Sequence, residues 1–247
     1  MVPGPHPHLP PQAGEGMVGP SEGRPPQKRG NRRARCKNIS SKANKSTSRP
    51  RAKRSRAAAY PGNIRIIGGR WRSRRLPVLT SEGLRPTPDR VRETLFNWLA
   101  PIIEGASCLD LFAGTGALCL EALSRGAATV VMVERSATAQ RQLRENVERL
   151  GAAGAKVVAA DALDYLGGTP RAFDIVFLDP PFAVAAEMIS DCGARLARGW
   201  LRPGALVYVE APRAMRTPPV PGEWTLKKRG LAGQVNYLLF QAPPAPG

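Results

Sequence analysis

The sequence predicts an α/β domain with a mostly parallel, seven-stranded sheet covered on both faces and finished by an antiparallel C-terminal hairpin. Three observations predict it. Beyond Gly105, short apolar runs alternate with helix-like segments, the pattern of strands joined by crossover helices. Two of those runs, Leu109–Gly116 (LDLFAGTG) and Phe173–Phe182 (FDIVFLDPPF), end in a carboxylate and a special turn, at the strand ends where open α/β sheets bind ligands. The chain then closes with Trp224–Arg229, a turn over Gly230–Gln234, and Val235–Gln241, which reads as a hairpin added to the sheet edge.

The elements follow in order. From Asn63, the stretch IRIIGGRW, the basic Arg72–Arg75 and Leu76-Pro77-Val78 read as a short hairpin with a basic turn region. A helix follows, with Thr87 as cap, Pro88 at its first position, Val91, Leu95 and Trp98/Leu99 at helical spacing, and Pro101 as its stop. The five core strands are Ser107–Phe112, Thr129–Glu134, Ala155–Ala159, Phe173–Leu178 and Ala205–Glu210. The helices between them are Ala117–Arg125, stopped by Gly126, and Ala137–Leu150, capped by Ser136 and stopped by Gly151. A further helix covers about Ala185–Leu196.

Charge divides the chain unevenly. Residues 1–60 hold 14 Lys/Arg against 2 Glu, two thirds of the net +18. Rich in Pro, Gly, Ser and basic residues and poor in large apolar ones, this stretch cannot offset the entropy of ordering. The expected organisation is a disordered basic tail (1–62), a hairpin and helix that contact a polyanion (63–101) and the main domain (102–247). Nucleic acid is the expected partner, because counterion release drives such binding whatever the sequence. No apolar run approaches the ~20 residues of a membrane span, and a cytoplasmic location is expected. The four cysteines (Cys36, Cys108, Cys119, Cys192) and two histidines (His6, His8) lack metal-ligand spacing, so no metal is expected and histidine acid/base chemistry is excluded from the folded part.

Gly114 and Gly116 let the backbone pass close to a ligand, with a helix N-terminus behind them. A glycine turn alone also suits a dinucleotide dehydrogenase. Asp110 moves the reading, because a carboxylate there suits a cationic amine and would repel a pyrophosphate. Glu134, 24 residues on at the next strand end, can accept both ribose hydroxyls, and Asp161 can accept from an adenine amine. S-adenosylmethionine carries all three groups. In Asp179-Pro180-Pro181-Phe182, the prolines deny the backbone its own donors, so carbonyls remain free to accept. The lone pair of an exocyclic base amine is delocalised into the ring. Acceptors at Asp179 and the Pro180 carbonyl pull that amine toward sp³ character while Phe182 stacks on the base.

These residues resemble class I S-adenosylmethionine-dependent methyltransferases of the amino-group type, with their Rossmann-like fold. Five segments, IRIIGGRWRSRRLPV, GLRPTPDRVRETLFNWL, LDLFAGTGALCLEALSRGA, FDIVFLDPPF and GQVNYLLF, narrow the resemblance to the bacterial RsmD family, the 16S rRNA (guanine(966)-N(2))-methyltransferases, over about Asn63 to Gln241. The resemblance implies methyl transfer to the N2 amine of a guanine in small-subunit ribosomal RNA, in the particle or an assembly intermediate; nothing in the sequence demands a dimer, and a monomer is expected. It places Asp110, Phe112, Gly114 and Gly116 around the methionine part, Glu134 and Arg135 at the ribose, and Asp161 and Ala162 at the adenine. Asp179–Phe182 would hold the guanine, with Arg70, Arg72, Arg74, Arg75, Arg85 and Arg90 toward the RNA. Two other readings stay open: a DNA amino-methyltransferase of the same superfamily, and a non-enzymatic RNA-binding or ribosome-assembly protein.

Overall fold

The computed structural model describes residues 62–78 and 87–245. The expectations for the N-terminal tail and for Arg85 lie outside them.

Strands β3 (Ser107–Asp110), β4 (Thr129–Glu134), β5 (Ala155–Ala159), β6 (Phe173–Leu178), β7 (Leu201–Pro212), β8 (Thr225–Ala232) and β9 (Val235–Gln241) form one seven-stranded sheet in the order β5-β4-β3-β6-β7-β9-β8. β3 through β7 pair in parallel, and β9 inserts antiparallel between β7 and β8. β3 is paired on both sides, Asp110 facing Met132 of β4 and Phe177 of β6. The chain winds outward from β3 in one direction and resumes at β6 in the other, so the crevice of such sheets opens between the carboxyl ends of β3 and β6. The two turns singled out in the sequence lie there, on adjacent strands.

The helices are α1 (Asp89–Leu99), α2 (Ala117–Ser124), α3 (Ala137–Leu150), α4 (Ala162–Leu166) and α5 (Ala185–Leu196). Side chains alternate along each strand and sort into two cores. Cys108, Met132, Ile175, Phe177 and Tyr208 pack with α1, α2 and α3, whereas Leu109, Val131, Val176, Leu178 and Val209 pack with α4 and α5. A separate antiparallel pair, β1 (Gly62–Arg65) and β2 (Arg75–Val78), joins the first core through Ile64, Leu76 and Val78.

Three local expectations change. Thr87 does not cap α1; its hydroxyl donates to Glu210 Oε1 at 3.1 Å, and Pro88 holds the cap position without a side-chain bond. α4 is absent from the sequence reading because five residues are too few to display a helical period. β7 begins at Leu201 rather than Ala205, its first residues lying across the edge of β6 through a register shift between Phe173 and Ile175. Ser136 and Gly151 bound α3 as expected, Ser136 Oγ accepting from Ala139 N and Gly151 lying in the left-handed region at φ 60°.

Candidate active site at the carboxyl ends of β3 and β6

The turn after β3 needs its glycines. Gly114 (φ 48°) and Gly116 (φ 77°) both adopt left-handed backbone, and a Cβ on Gly116 would lie 2.6 Å from Leu143 Cδ2. Glu134, at the end of the neighbouring strand, completes this turn: its Oε2 accepts from Gly114 N at 2.9 Å and its Oε1 from Ser136 N at 2.7 Å. Each carboxylate oxygen retains a second lone-pair site, so the residue can still accept a pair of ribose hydroxyls.

Asp110 is buried at the end of β3, with Oδ1 accepting from Phe112 N at 3.0 Å and Oδ2 meeting Cys119 Sγ at 3.3 Å. Burial dominates over these two bonds, and the Glu134 and Glu210 carboxylates push the same way, raising its pKa to about 7. Such a carboxyl is ready to ionise when a cation arrives. Cys119 spends its thiol on this bond, and burial pushes it well above the usual thiol range. Among the described residues, Cys108, Cys119 and Cys192 are all free and buried.

Beyond Leu178 and Val209, the last pair between β6 and β7, come Asp179 and Glu210 side by side. Glu210 is buried, and its Oε1 accepts from the Tyr208 hydroxyl at 2.8 Å and from Thr87 at 3.1 Å. Asp179 is held well above the usual carboxylate range by burial, then by the charges of Glu210 and Asp110. Burial raises Glu210 too, against the lowering effect of its two hydroxyl donors. The three carboxyls therefore cap three adjacent strands as one set that resists full ionisation. Pro180 is buried next to them. Pro181 and Phe182 face outward, Phe182 being 43% exposed, an unusual setting for a large apolar ring and one suited to stacking.

Asp161 caps α4, its Oδ1 accepting from Leu163 N at 3.0 Å; Ala162 is buried behind it. Arg135 is exposed between β4 and α3, and Phe112 is half-buried against the α5 core. The expected cofactor residues thus gather along the carboxyl ends of β3, β4 and β5.

The basic hairpin stands elsewhere. Gly69 (φ 75°) lies against the last turn of α2, where a Cβ would sit 1.7 Å from Ser124 O. Glu121, fully buried on α2, accepts from Ile67 N and Gly68 N at 2.8 Å each and pairs with Arg125 Nε at 2.7 Å and Arg92 Nη1 at 3.5 Å. Trp71 N donates to Ser124 Oγ at 3.0 Å. Arg70, stacked 3.9 Å over Trp71, and exposed Arg72, Arg74 and Arg75 accordingly sit at or near the end of α2 remote from Gly116, one helix length or roughly 12 Å away. Arg90 is exposed on the first turn of α1. Arg92, two residues on, is by contrast 1% exposed and committed to Asp89 and Glu121.

Sequence reasoning read Thr87 as a cap and Glu210 as a strand end, and missed that they join with Tyr208 in one hydrogen-bonded set, as it missed the role of Glu121. A carboxylate in β7 and another inside an apolar helix were visible, but Thr87 and Gly68, which donate to them, are 123 and 53 residues away.

Among the described residues no group of His, Cys, Asp and Glu is arranged to hold a metal ion, and no helix is long and apolar enough to cross a membrane. The family model described as "Conserved hypothetical protein 95" matches residues 64–241. The chain is 50% identical over 187 residues to ribosomal RNA small subunit methyltransferase D of Escherichia coli, covering 73% of this chain and 90% of that one. With the protein of that name from Haemophilus influenzae it is 47% identical over 186 residues, covering 73% and 94%. The solved structure of yhhF from Escherichia coli superposes with a TM-score of 0.69 at 46% identity, over 74% of this chain and 99% of that one. By the extent of these matches and by the site they span, the chain belongs to the RsmD family of methyltransferases.

Proposed function

We propose that this protein transfers a methyl group from S-adenosylmethionine to the exocyclic N2 amine of a guanine in 16S ribosomal RNA, the nucleotide at position 966 as the family resemblance implies. The observation that carries this reading is the junction of Asp179 and exposed Phe182 with the glycine turn across the crevice between β3 and β6. A half-buried acceptor and a free stacking face stand beside a cradle for a cationic amino acid and a ribose.

The residues present fit the cofactor. Asp110 offers a buried carboxyl to the ammonium, the glycine turn offers close backbone approach, Glu134 offers two acceptors to the ribose, and Asp161 keeps one oxygen free for the adenine amine. S-adenosylmethionine, when bound, supplies a methyl group on a positively charged sulfur. Asp179 and the Pro180 carbonyl accept the two N–H bonds of the guanine amine and aim its lone pair. Phe182 stacks on the base. As the N–C bond forms and the C–S bond breaks, Asp179 takes the proton that the amine must lose. Ionised Asp179 is favoured when positive charge enters this carboxylate set.

The substrate is small-subunit RNA, in the particle or an assembly intermediate, and the protein acts as a monomer. Labelled S-adenosylmethionine, given in parallel with free 16S RNA, with 30S particles lacking the modification and with DNA, tests this. N2-methylguanosine in the RNA is expected, and label in DNA alone would overturn the reading. Phe182→Ala should weaken substrate engagement by about 1–3 kcal/mol while Phe182→Tyr retains it.

A further inference from the structure

Beyond the residues already assigned, three arginines occupy the same carboxyl edge of the sheet on the far side of Asp179 from the glycine turn. Arg213 follows the last residue of β7, its backbone N donating to Gln234 O at 2.7 Å and its Nη1 to Gly233 O at 3.1 Å. Arg229 on the edge strand β8 donates through Nη2 to the carbonyl of Arg216. Asn236, 1% exposed on β9, secures the same loop from beneath, its Nδ2 donating to Met215 O at 2.8 Å and to Arg216 O at 3.5 Å. This gives a structural reason for the asparagine in the closing GQVNYLLF segment.

All three arginines are exposed, and among the described residues none pairs with a carboxylate. Arg65, Arg92, Arg125 and Arg202, by contrast, each pair with an acid. A carbonyl acceptor fixes a guanidinium without cancelling its charge, and only one or two of its five N–H donors are used. Arg213 and Arg229 are thus oriented, uncompensated forks, the form of cation that matches phosphate oxygens in pairs. Position completes the case. Leu178, Val209, Leu238 and Arg229 lie in one row across β6, β7, β9 and β8, so the Arg229 backbone is three strand spacings, roughly 14 Å, from the residue preceding Asp179. Phe182 and Val184, exposed at 43% and 42%, lead from that same end of β6 into α5.

We propose that Arg213, Arg216 and Arg229 form a phosphate-binding rim that grips the RNA strand flanking the base stacked at Phe182. The proposal rests on the RNA methyltransferase reading above. The rim stands beyond β7 and β9, whereas the hairpin cations stand near the C-terminal end of α2.

The test uses the full chain with Arg213, Arg216 and Arg229 all changed to Gln, and a second variant with all three changed to Lys. Binding of a 16S RNA transcript is followed across a salt series, with calorimetry of S-adenosylmethionine as the control for folding. Loss of three phosphate contacts should flatten the slope of log K against log salt by about 2, since each contact contributes about 0.7 on single strands. The loss in methylation should fall on KM for the RNA, with cofactor affinity unchanged, and the Lys variant should recover the salt slope but only part of the KM. An unchanged slope and KM would overturn the rim, as would a raised KM for particles with an unchanged slope on RNA, which indicates a protein partner. Absence of RNA methylation by the unaltered protein would instead overturn the reading on which the proposal stands.

Discussion

The backbone N–H of Gly114 donates to Glu134 Oε2 at 2.9 Å, and the other oxygen of that carboxylate accepts from Ser136 N at 2.7 Å. The glycine turn after β3 and the acid at the end of β4 are therefore one hydrogen-bonded unit. Glu134 fixes the turn, and in the function proposed above it also accepts from the ribose, so the two roles cannot be separated by removing charge alone.

Glu134→Gln should consequently fail to rescue what Glu134→Ala loses. An amide presents a donor to one of the two backbone N–H groups that the carboxylate satisfies, leaving a donor facing a donor. Both variants should bind S-adenosylmethionine more weakly by roughly 1.5–3 kcal/mol, about ten-fold to a hundred-fold or more. Calorimetry reads this directly. Near-native affinity in the Gln variant would remove Glu134 from the cofactor site.

Asp110 should make cofactor affinity depend on pH. With its carboxyl raised to about 7, an ammonium must drive its ionisation at lower pH, so the dissociation constant should climb as pH falls below that value, by up to about ten-fold per unit. The sign for folding is opposite to that of an ordinary salt-bridged acid. The native state keeps a proton that the unfolded chain releases near 3.8, so stability falls as pH rises from there to about 7. Asp110→Asn should flatten both profiles, measured by calorimetry and by denaturant unfolding without ligand.

Gly69→Ala should release the basic hairpin from α2. A Cβ would need to occupy space 1.7 Å from Ser124 O at a φ of 75°, and backbone atoms on both sides leave little room to adjust. A cost of at least about 2 kcal/mol is expected from left-handed strain plus the clash. Limited proteolysis within residues 62–78 should accelerate while the glycine turn still binds cofactor. Unaltered thermal stability would show that the hairpin docks without this contact.

Much of this arrangement was legible because it is local in the chain. Runs ending at Asp110, Glu134 and Leu178 placed parallel strands, and Ser136 and Gly151 bounded α3 through their own backbone geometry. Asp179-Pro180-Pro181-Phe182 was readable because proline fixes φ wherever it occurs. What escaped depends on distant partners. Thr87 looked like a cap because it precedes Pro88, yet Glu210, 123 residues away, takes its hydroxyl. Arg92 is buried between Asp89 and Glu121, the latter 29 residues on, and nothing in its own segment announces that burial. Which end of α2 the hairpin arginines stand beside is set by the bond between Trp71 N and Ser124 Oγ, 53 residues apart, and sequence order does not display it.

Burial, and after it the charge of Glu210, holds the Asp179 carboxyl above the usual carboxylate range, and this predicts a pH signature. Asp179 must be ionised to accept a proton from the guanine amine, so turnover should rise with pH through an apparent pKa above the ordinary carboxylate range. The groups that face it are Glu210 on β7, with Tyr208 and Thr87 donating to that acid, and Asp110 on β3. Glu210→Gln removes one negative charge beside Asp179 while keeping an acceptor for a hydroxyl, so the acid limb of the kcat profile should move to lower pH. Tyr208→Phe removes a donor that favours ionised Glu210, leaving that acid more protonated and shifting the limb the same way, though less. Asp179→Asn should lower turnover a hundred-fold or more, about 2.7–4 kcal/mol, with cofactor affinity within a few-fold of the unaltered protein. A limb that stays fixed in the Glu210 variant would mean that this carboxylate only supports the fold, and a fully active Asp179→Asn enzyme would mean that the proton leaves by another route.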